Sequence, residues 1–94
     1  MNDYEVTIII QPQIEDRERD QLITRISELL VPNGEKPVIN RWGQRKMAYA
    51  IKKFTEGYYV LYEAKIDPAR IRNIERTFQY NDDILRFLVV RKEA

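Results

Sequence analysis

The chain has 94 residues, of which 44% are hydrophobic and 33% are charged. This length suffices for one core of two layers and is too short for two independent cores, so we expect residues 1–94 to form a single domain. Cysteine and histidine are both absent. Their absence excludes disulfides and leaves a transition-metal site without its usual soft ligands. We therefore expect no metal and no other cofactor.

The formal net charge is only +1, but positive charge is concentrated in the middle of the chain. The first forty residues contain eight acidic residues against four basic ones. Residues 41–54 contain no acidic residue and five basic ones: Arg41, Arg45, Lys46, Lys52 and Lys53. A single basic residue on a strand is as often an ordinary solvated residue of a sheet edge as a phosphate contact. A run of basic residues without carboxylates favours contact with phosphate.

A strand and a helix are predicted first. Tyr4 to Ile10 is β-branched and partly alternating, and Pro12 ends this strand because proline cannot donate to a ladder. Apolar residues between Ile14 and Leu30 recur at the spacing of one helix face, and Pro32-Asn33-Gly34 is predicted to end that helix. The apolar positions are Leu22, Ile23, Ile26, Leu29 and Leu30.

The N-terminus carries no sign of a targeting segment. Met1 leads into the first strand without a basic region or a cleavage site of small residues. No apolar run approaches the roughly 18 residues of a membrane span. We expect a soluble cytoplasmic protein without membrane contact.

The middle of the chain predicts a hairpin. We expect Pro37 to Ile51 to form a long strand that bends at Trp42-Gly43, with Lys52 to Gly57 as the connection and Tyr58 to Ala64 as the third strand. Strand alternation places four larger residues on one side, where we expect the apolar ones to pack inward: Arg45, Met47, Tyr49 and Ile51. Lys46, Ala48 and Ala50 fall on the other side.

The last third predicts a helix and a strand. Asp67-Pro68 is a strong helix start, since the aspartate can cap an amide and proline suits the first turn. The predicted buried stripe is Ile71, Ile74 and Phe78, and Ile84 to Val90 forms the last strand. The resulting class is α+β, a ferredoxin-like βαββαβ sandwich. Right-handed crossovers give an antiparallel four-stranded sheet in the order fourth, first, third, second, with two helices on one face and the other face open.

Enzymatic activity is not expected. Without histidine, cysteine or a glycine-rich phosphate loop, nucleophilic, metal-assisted and P-loop mechanisms have no candidate residues. Asp82-Asp83 is better explained as a solvated turn than as a catalytic pair. The acylphosphatases share this topology, but their glycine-rich anion loop is replaced here by Gln11-Pro12-Gln13. A small-molecule substrate is therefore not expected either.

Two further interpretations remain as alternatives. The segment from Glu56 to Tyr62 is similar to the third strand of an RNA-recognition motif, but it begins with an acidic residue and lacks one residue between its aromatics. Tyr58, Tyr59 and Tyr62 are also explained by packing beside the core. The other alternative is a regulatory domain of the same topology that acts as a homodimer, for which the sequence offers no concentration of polar pocket residues.

One segment has a specific resemblance to a known family. Trp42 to Lys53, followed by Gly57 to Leu61, is similar to the Trp-Gly-x-Arg-x-Leu/Met-Ala-Tyr-x-Ile-x-Lys segment of the bacterial ribosomal S-six family. Tyr4-Glu5 matches the family's opening, and its closing pattern is matched by Asn81-Asp82, Ile84, Arg86 and Val89-Val90. The resemblance implies a structural protein of the small ribosomal subunit. It also implies binding to the central domain of its ribosomal RNA, as a heterodimer with the S-eighteen protein.

Two sets of residues are candidates for these interactions. The predicted RNA-binding set consists of cations from the middle segment and the last strand: Arg45, Lys52, Lys53, Arg86, Arg91 and Lys92. The predicted partner-binding set lies on the second strand, which the expected sheet order makes an edge: Trp42, Gln44, Lys46, Ala48 and Ala50. Trp42 has an alternative place as a residue that closes the domain's own core.

Overall fold

A computed structural model of the chain describes residues 1–32 and 36–92. In chain order it contains β1 (Asn2–Ile10), α1 (Asp16–Leu30), β2 (Val38–Ile51), β3 (Phe54–Ile66), a 3₁₀ turn (Pro68–Arg70), α2 (Ile71–Gln79) and β4 (Ile84–Arg91). The strands form one antiparallel sheet in the order β2-β3-β1-β4. The predicted ferredoxin-like fold is confirmed. Of the turn predicted to end α1, residues 33 and 34 lie outside the described residues.

The main core lies between the two helices and one face of the sheet. Alternate residues of β1 enter it, and the apolar stripes predicted for the helices lie there, fully buried except for the half-buried Leu29 and Ile71. Tyr62 of β3 is fully buried, and its hydroxyl donates to the carbonyl oxygen of Ile23 at 3.0 Å. Burial raises the pKa of this phenol. The interpretation of the β3 tyrosines as residues that pack beside the core is confirmed for Tyr58 and Tyr62.

The connection before α2 ties the two helices together. The Asp67 carboxylate accepts from the amide of Ala69 at 3.0 Å, which confirms the predicted cap, although the first turn is a 3₁₀ turn. The Arg70 guanidinium donates to the carbonyl oxygens of Leu29 at 2.5 Å and Leu30 at 3.2 Å. These are carbonyls of the last turn of α1, which has no basic residue of its own.

The hairpin between β2 and β3 is tighter than predicted. Ile51 pairs with Phe54, so the connection is only Lys52-Lys53, and the prediction of a loop from Lys52 to Gly57 was wrong. Both lysines have positive φ, +49° and +73°, as in a type I′ turn. This turn usually carries Asn-Gly, so two lysines gave no turn signal. Gly57 was taken as a loop glycine but lies buried inside β3.

The end of this hairpin, residues 47–57, covers part of the open face, the sheet face opposite the helices. A second apolar cluster forms there from Ile9, Met47 and Leu85, with Ile51, Phe54 and Tyr59 packed against it. The expected inward packing of Met47 and Ile51 is thus seen, but on the face without helices. For Tyr49 the expectation was wrong, because its side chain is 58% exposed.

Of the two glycines in the described residues, Gly57 should be the more sensitive to substitution. A Cβ there would lie 2.3 Å from Cγ2 of Ile9 and 3.6 Å from the sulfur of Met47. We expect Gly57→Ala to lower the free energy of unfolding by about 1–3 kcal/mol, the usual cost of overpacking. Gly43→Asn is the matched control, because Gly43 has φ +84° with nothing within 4 Å of an added Cβ, and asparagine tolerates that backbone. Equal melting midpoints for the two variants would contradict the expected clash.

Candidate nucleic-acid and partner interface

The two exposed lysines of the turn form the tip of the hairpin. Pairing of β1 with β3 ends at Ile10 and Tyr58. The hairpin end therefore extends beyond the last β1 pair, with Lys52 and Lys53 exposed at its tip. Lysines in this position can contact a polyanion without deforming the sheet.

Two predicted RNA-binding arginines contact aromatic residues near the hairpin. Arg45 donates through Nε to the carbonyl oxygen of Trp42 at 3.3 Å, and its guanidinium carbon lies 5.7 Å from the Trp42 ring centroid. Arg86 of β4 donates to the hydroxyl of Tyr49, and its guanidinium carbon lies 6.0 Å from that ring centroid. Both arginines are exposed, so each keeps part of its guanidinium available to solvent.

The last two predicted RNA-binding residues lie at the opposite end of the sheet. β4 begins beside Ile10 and ends with Arg91 beside Tyr4, so Arg91 is about 17 Å from Arg86 along the strand. The Lys92 ammonium is ion-paired with Glu63 and lies 3.6 Å from Glu5. Its hydrogen bond to Glu63 raises the pKa of Lys92. Four of the predicted RNA-binding residues thus lie at the end of the sheet that carries the hairpin: Lys52, Lys53, Arg45 and Arg86. Arg91 and Lys92 lie at the opposite end.

β2 is an edge strand, as predicted, and carries all the residues of the predicted partner-binding set. A register shift between Arg41 and Gly43 produces a bulge at Trp42, which confirms the predicted bend. Trp42 is 48% exposed and lies outside both apolar clusters, so it does not close the domain's own core. Gln44 donates to the carboxylate of Glu56 at 3.0 Å, and Lys46 pairs with Glu56 in the ladder.

Small and apolar side chains line the rest of this edge. Ala48 and Ala50 are exposed. The large hydrophobic residues exposed on β2 are Val38, Ile39, Trp42 and Tyr49. An exposed edge of this composition can accept a further strand from another chain, because its outer backbone groups lack a neighbouring strand.

Sequence reasoning missed three residues that organise this surface. Asp20 of α1 accepts from Arg41 at 2.8 Å and raises the pKa of that guanidinium, so one of the five central cations is used within the fold. Tyr49 accepts from Arg86, and Glu56 accepts from Gln44. None of these contacts had a sequence signal: Gln44 pairs with Tyr58 in the ladder, so its contact with Glu56 is diagonal and depends on the register shifts of β2.

The tyrosines of β3 do not form the paired platform of an RNA-recognition motif. Tyr58 packs on the helix side, where the guanidinium carbon of Arg19 lies 4.1 Å from its ring centroid, and Tyr62 is buried in the main core. Tyr59 lies on the opposite face, packed against the cluster of Ile9 and Met47. Within the described part of β3, one tyrosine alone therefore faces the side on which that motif stacks bases.

Residues 1–32 and 36–92 contain neither a cluster of metal ligands nor a candidate membrane-spanning helix. Within these ranges, no three acidic, histidine or cysteine side chains converge as metal ligands. In the same part of the chain, no helix has the length and apolar character needed to cross a membrane.

Comparison with known proteins gives a consistent result. Residues 3–91 match the family model of ribosomal protein S6. The chain is 37% identical over 94 residues to the small ribosomal subunit protein bS6 of Desulforudis audaxviator, covering 99% of this chain and 100% of that protein. It is 38% identical over 94 residues to the bS6 protein of Caldanaerobacter subterraneus, with 99% of each covered.

A solved structure supports the same relationship. The crystal structure of 30S ribosomal protein S6 from Thermotoga maritima matches with a TM-score of 0.89 and 30% sequence identity, over 97% of this chain and 87% of that one. The fold, the family model and the relatives agree over nearly the full length, so the chain belongs to the ribosomal protein S6 family.

Proposed function

We propose that this chain binds the central domain of small-subunit ribosomal RNA as a heterodimer with the S-eighteen protein. Membership of the ribosomal protein S6 family makes it a small-subunit protein, associated with the ribosome in the cytoplasm, and this is not an enzyme family. In the proposal, Lys52 and Lys53 contact phosphates from the hairpin tip, and Arg45 and Arg86 lie at the same end of the sheet. The edge of β2 docks the partner.

The backbone of Lys52-Lys53 is the observation that carries the RNA-binding proposal. Both residues have positive φ, a conformation that costs a residue with a side chain about 1 kcal/mol or more. Asn-Gly would form the same turn without that cost and without charge. Two lysines in this strained, exposed turn are therefore expected to lower the stability relative to Asn-Gly. A contact with phosphate would explain why lysines occupy the turn. Contacts of this kind position the protein on RNA rather than read its bases.

The β2 edge supports the partner proposal. Its outer backbone groups are available to another strand, and Ala48 and Ala50 allow a chain to approach closely. Trp42 supplies a large exposed aromatic surface beside the same edge, the kind of residue that often anchors an interface. Gln44 and Lys46 lie between the tryptophan and the alanines and would contribute polar contacts at the rim.

The proposal predicts that RNA binding depends on the partner. The net charge of the chain is only +1, so the chain alone has little electrostatic attraction for RNA, and the partner adds cations and contact surface. We expect the mixture with S-eighteen to bind a central-domain RNA fragment at least about tenfold more tightly than the chain alone, by simple coupling of the two binding events. Filter binding or fluorescence anisotropy at fixed salt measures this difference.

Two controls make the result interpretable. S-eighteen alone is titrated against the same fragment, and sedimentation of the chain alone measures whether it forms a homodimer. Tight binding by the chain alone, unchanged by S-eighteen, would overturn the heterodimer proposal. A stable homodimer that excludes S-eighteen would favour the regulatory-domain alternative instead.

A further inference from the structure

The contact between Arg86 and Tyr49 joins the two outer strands of the sheet. β2 and β4 lie at opposite edges with β3 and β1 between them, a separation of about 14 Å at the usual strand spacing. Extended tyrosine and arginine side chains together reach about this far, but the shorter Met47 of β2 is also buried in one cluster with Ile9 of β1 and Leu85 of β4. The Met47 cluster and the Arg86–Tyr49 hydrogen bond together indicate that the hairpin end folds across the open face.

The pairing register shows where β2 leaves the sheet. After the bulge at Trp42 the ladder is regular from Gly43 to Lys46, and it resumes at Ile51 and Phe54, so residues 47–50 stand opposite Thr55 alone. The unmatched residues allow the strand to bend. Met47 is then buried against Ile9 and Leu85, and Gly57 lets Ile9 approach the backbone of β3.

Arg86 provides the polar contact that, together with the buried Met47, attaches the hairpin end to the open face of the sheet. It pairs with Ile9 in the ladder and lies on the same face as the Met47 cluster. Tyr49 follows Met47 by two residues and precedes Ile51 by two, so its ring lies on that side of the strand. The guanidinium both donates to the hydroxyl and lies near the ring. A cation held in this way fixes the direction in which the hairpin end projects.

We propose that Arg86 is a positioning residue, which holds Tyr49 and thereby orients Lys52 and Lys53, rather than a direct phosphate contact. This inference rests on the proposed function of the hairpin tip. Without the attachment, the hairpin end keeps its apolar contacts but samples more orientations, so the lysines are correctly placed for a smaller fraction of the time. RNA affinity then falls although no phosphate contact is lost.

Tyr49→Phe is the decisive variant, because it removes the hydroxyl and keeps the ring and every positive charge. We expect amide hydrogen exchange of residues 47–56 to become roughly 2- to 10-fold faster in the free protein, the range for one hydrogen bond. Affinity of the complex with S-eighteen for the central-domain RNA fragment should fall by a similar factor, with the slope of log affinity against log salt unchanged. Arg86→Leu should produce the same two effects, and the double variant should add nothing further.

The matched controls are Tyr80→Phe and Arg72→Leu, since Tyr80 is 80% exposed and Arg72 is exposed on α2. They correct for loss of any tyrosine hydroxyl and any surface charge, and a melting midpoint for each variant excludes global unfolding. Unchanged exchange in Tyr49→Phe would overturn the inference. So would a salt slope that falls by roughly 0.7 to 0.9 in Arg86→Leu but not in Arg72→Leu, the change expected for a lost phosphate contact. The exchange measurement contains no RNA, so failure of the positioning role is distinguishable from failure of the proposed RNA contact.

Discussion

A variant that combines Lys52→Asn with Lys53→Gly is expected to be more stable than the natural chain and to bind RNA roughly 25- to 60-fold more weakly at 0.1 M salt. The stability increases because Asn-Gly adopts positive φ in a type I′ turn at little cost. The affinity falls because each lost phosphate contact reduces the slope of log affinity against log salt by roughly 0.7 to 0.9. Two lost contacts therefore lower the affinity by about 25- to 60-fold over the tenfold salt range between 1 M and 0.1 M. The measurements are a thermal melt of the free chain and a salt titration of the complex with S-eighteen and the RNA fragment.

The double variant Lys52→Ala with Lys53→Ala separates charge from turn geometry. It removes the same two charges, keeps side chains at positive φ and should show the same flattened salt slope without the gain in stability. The matched control is Arg17→Ala with Arg25→Ala, which removes two exposed cations from α1. If the hairpin variants kept the natural slope, or if the control flattened it equally, the hairpin tip would not face RNA.

The sequence predicts the fold well because each element has a clear period and clear ends. Alternation along β1 and the apolar stripes of both helices follow directly from burial on one side. β3 begins at Phe54, four residues before the predicted start at Tyr58. Gly57 caused the error, because a glycine inside a strand and a glycine in a loop look alike in sequence. Its role depends on the closeness of Ile9, a tertiary contact that no local pattern contains.

The candidate site was predictable in part, for the same reason. The side of β2 that carries Met47 and Tyr49 follows from alternation, but the fold of the hairpin end across the open face does not. Arg86 and Tyr49 are 37 residues apart, and Lys92 and Glu63 are 29 residues apart. Such pairs form when strands from distant parts of the chain are brought together. Counting cations along the sequence could not separate the exposed lysines of the hairpin tip from Lys92, which has carboxylate partners.

The edge strand provides the other prediction with a large effect. We expect Ala48→Glu and Ala50→Glu each to weaken binding of S-eighteen by at least about 100-fold, because a bulky charge buried without a partner costs several kcal/mol. Both alanines are exposed, so the free energy of unfolding of the isolated chain should change by no more than about 0.5 kcal/mol. Calorimetric titration of S-eighteen without RNA measures the first effect, and a thermal melt measures the second.

Ala69→Glu is the matched control, since Ala69 is also exposed but belongs to the 3₁₀ turn before α2 and not to β2. It should bind S-eighteen as the natural chain does. Natural affinity in both β2 variants would show that the partner docks elsewhere. The next candidates would then be on β4, the other edge strand, where Leu88 is 58% exposed and Val90 is 46% exposed. Leu88→Glu and Val90→Glu would then be the variants that abolish binding, because an apolar sheet surface cannot accept an unpaired carboxylate in a buried interface.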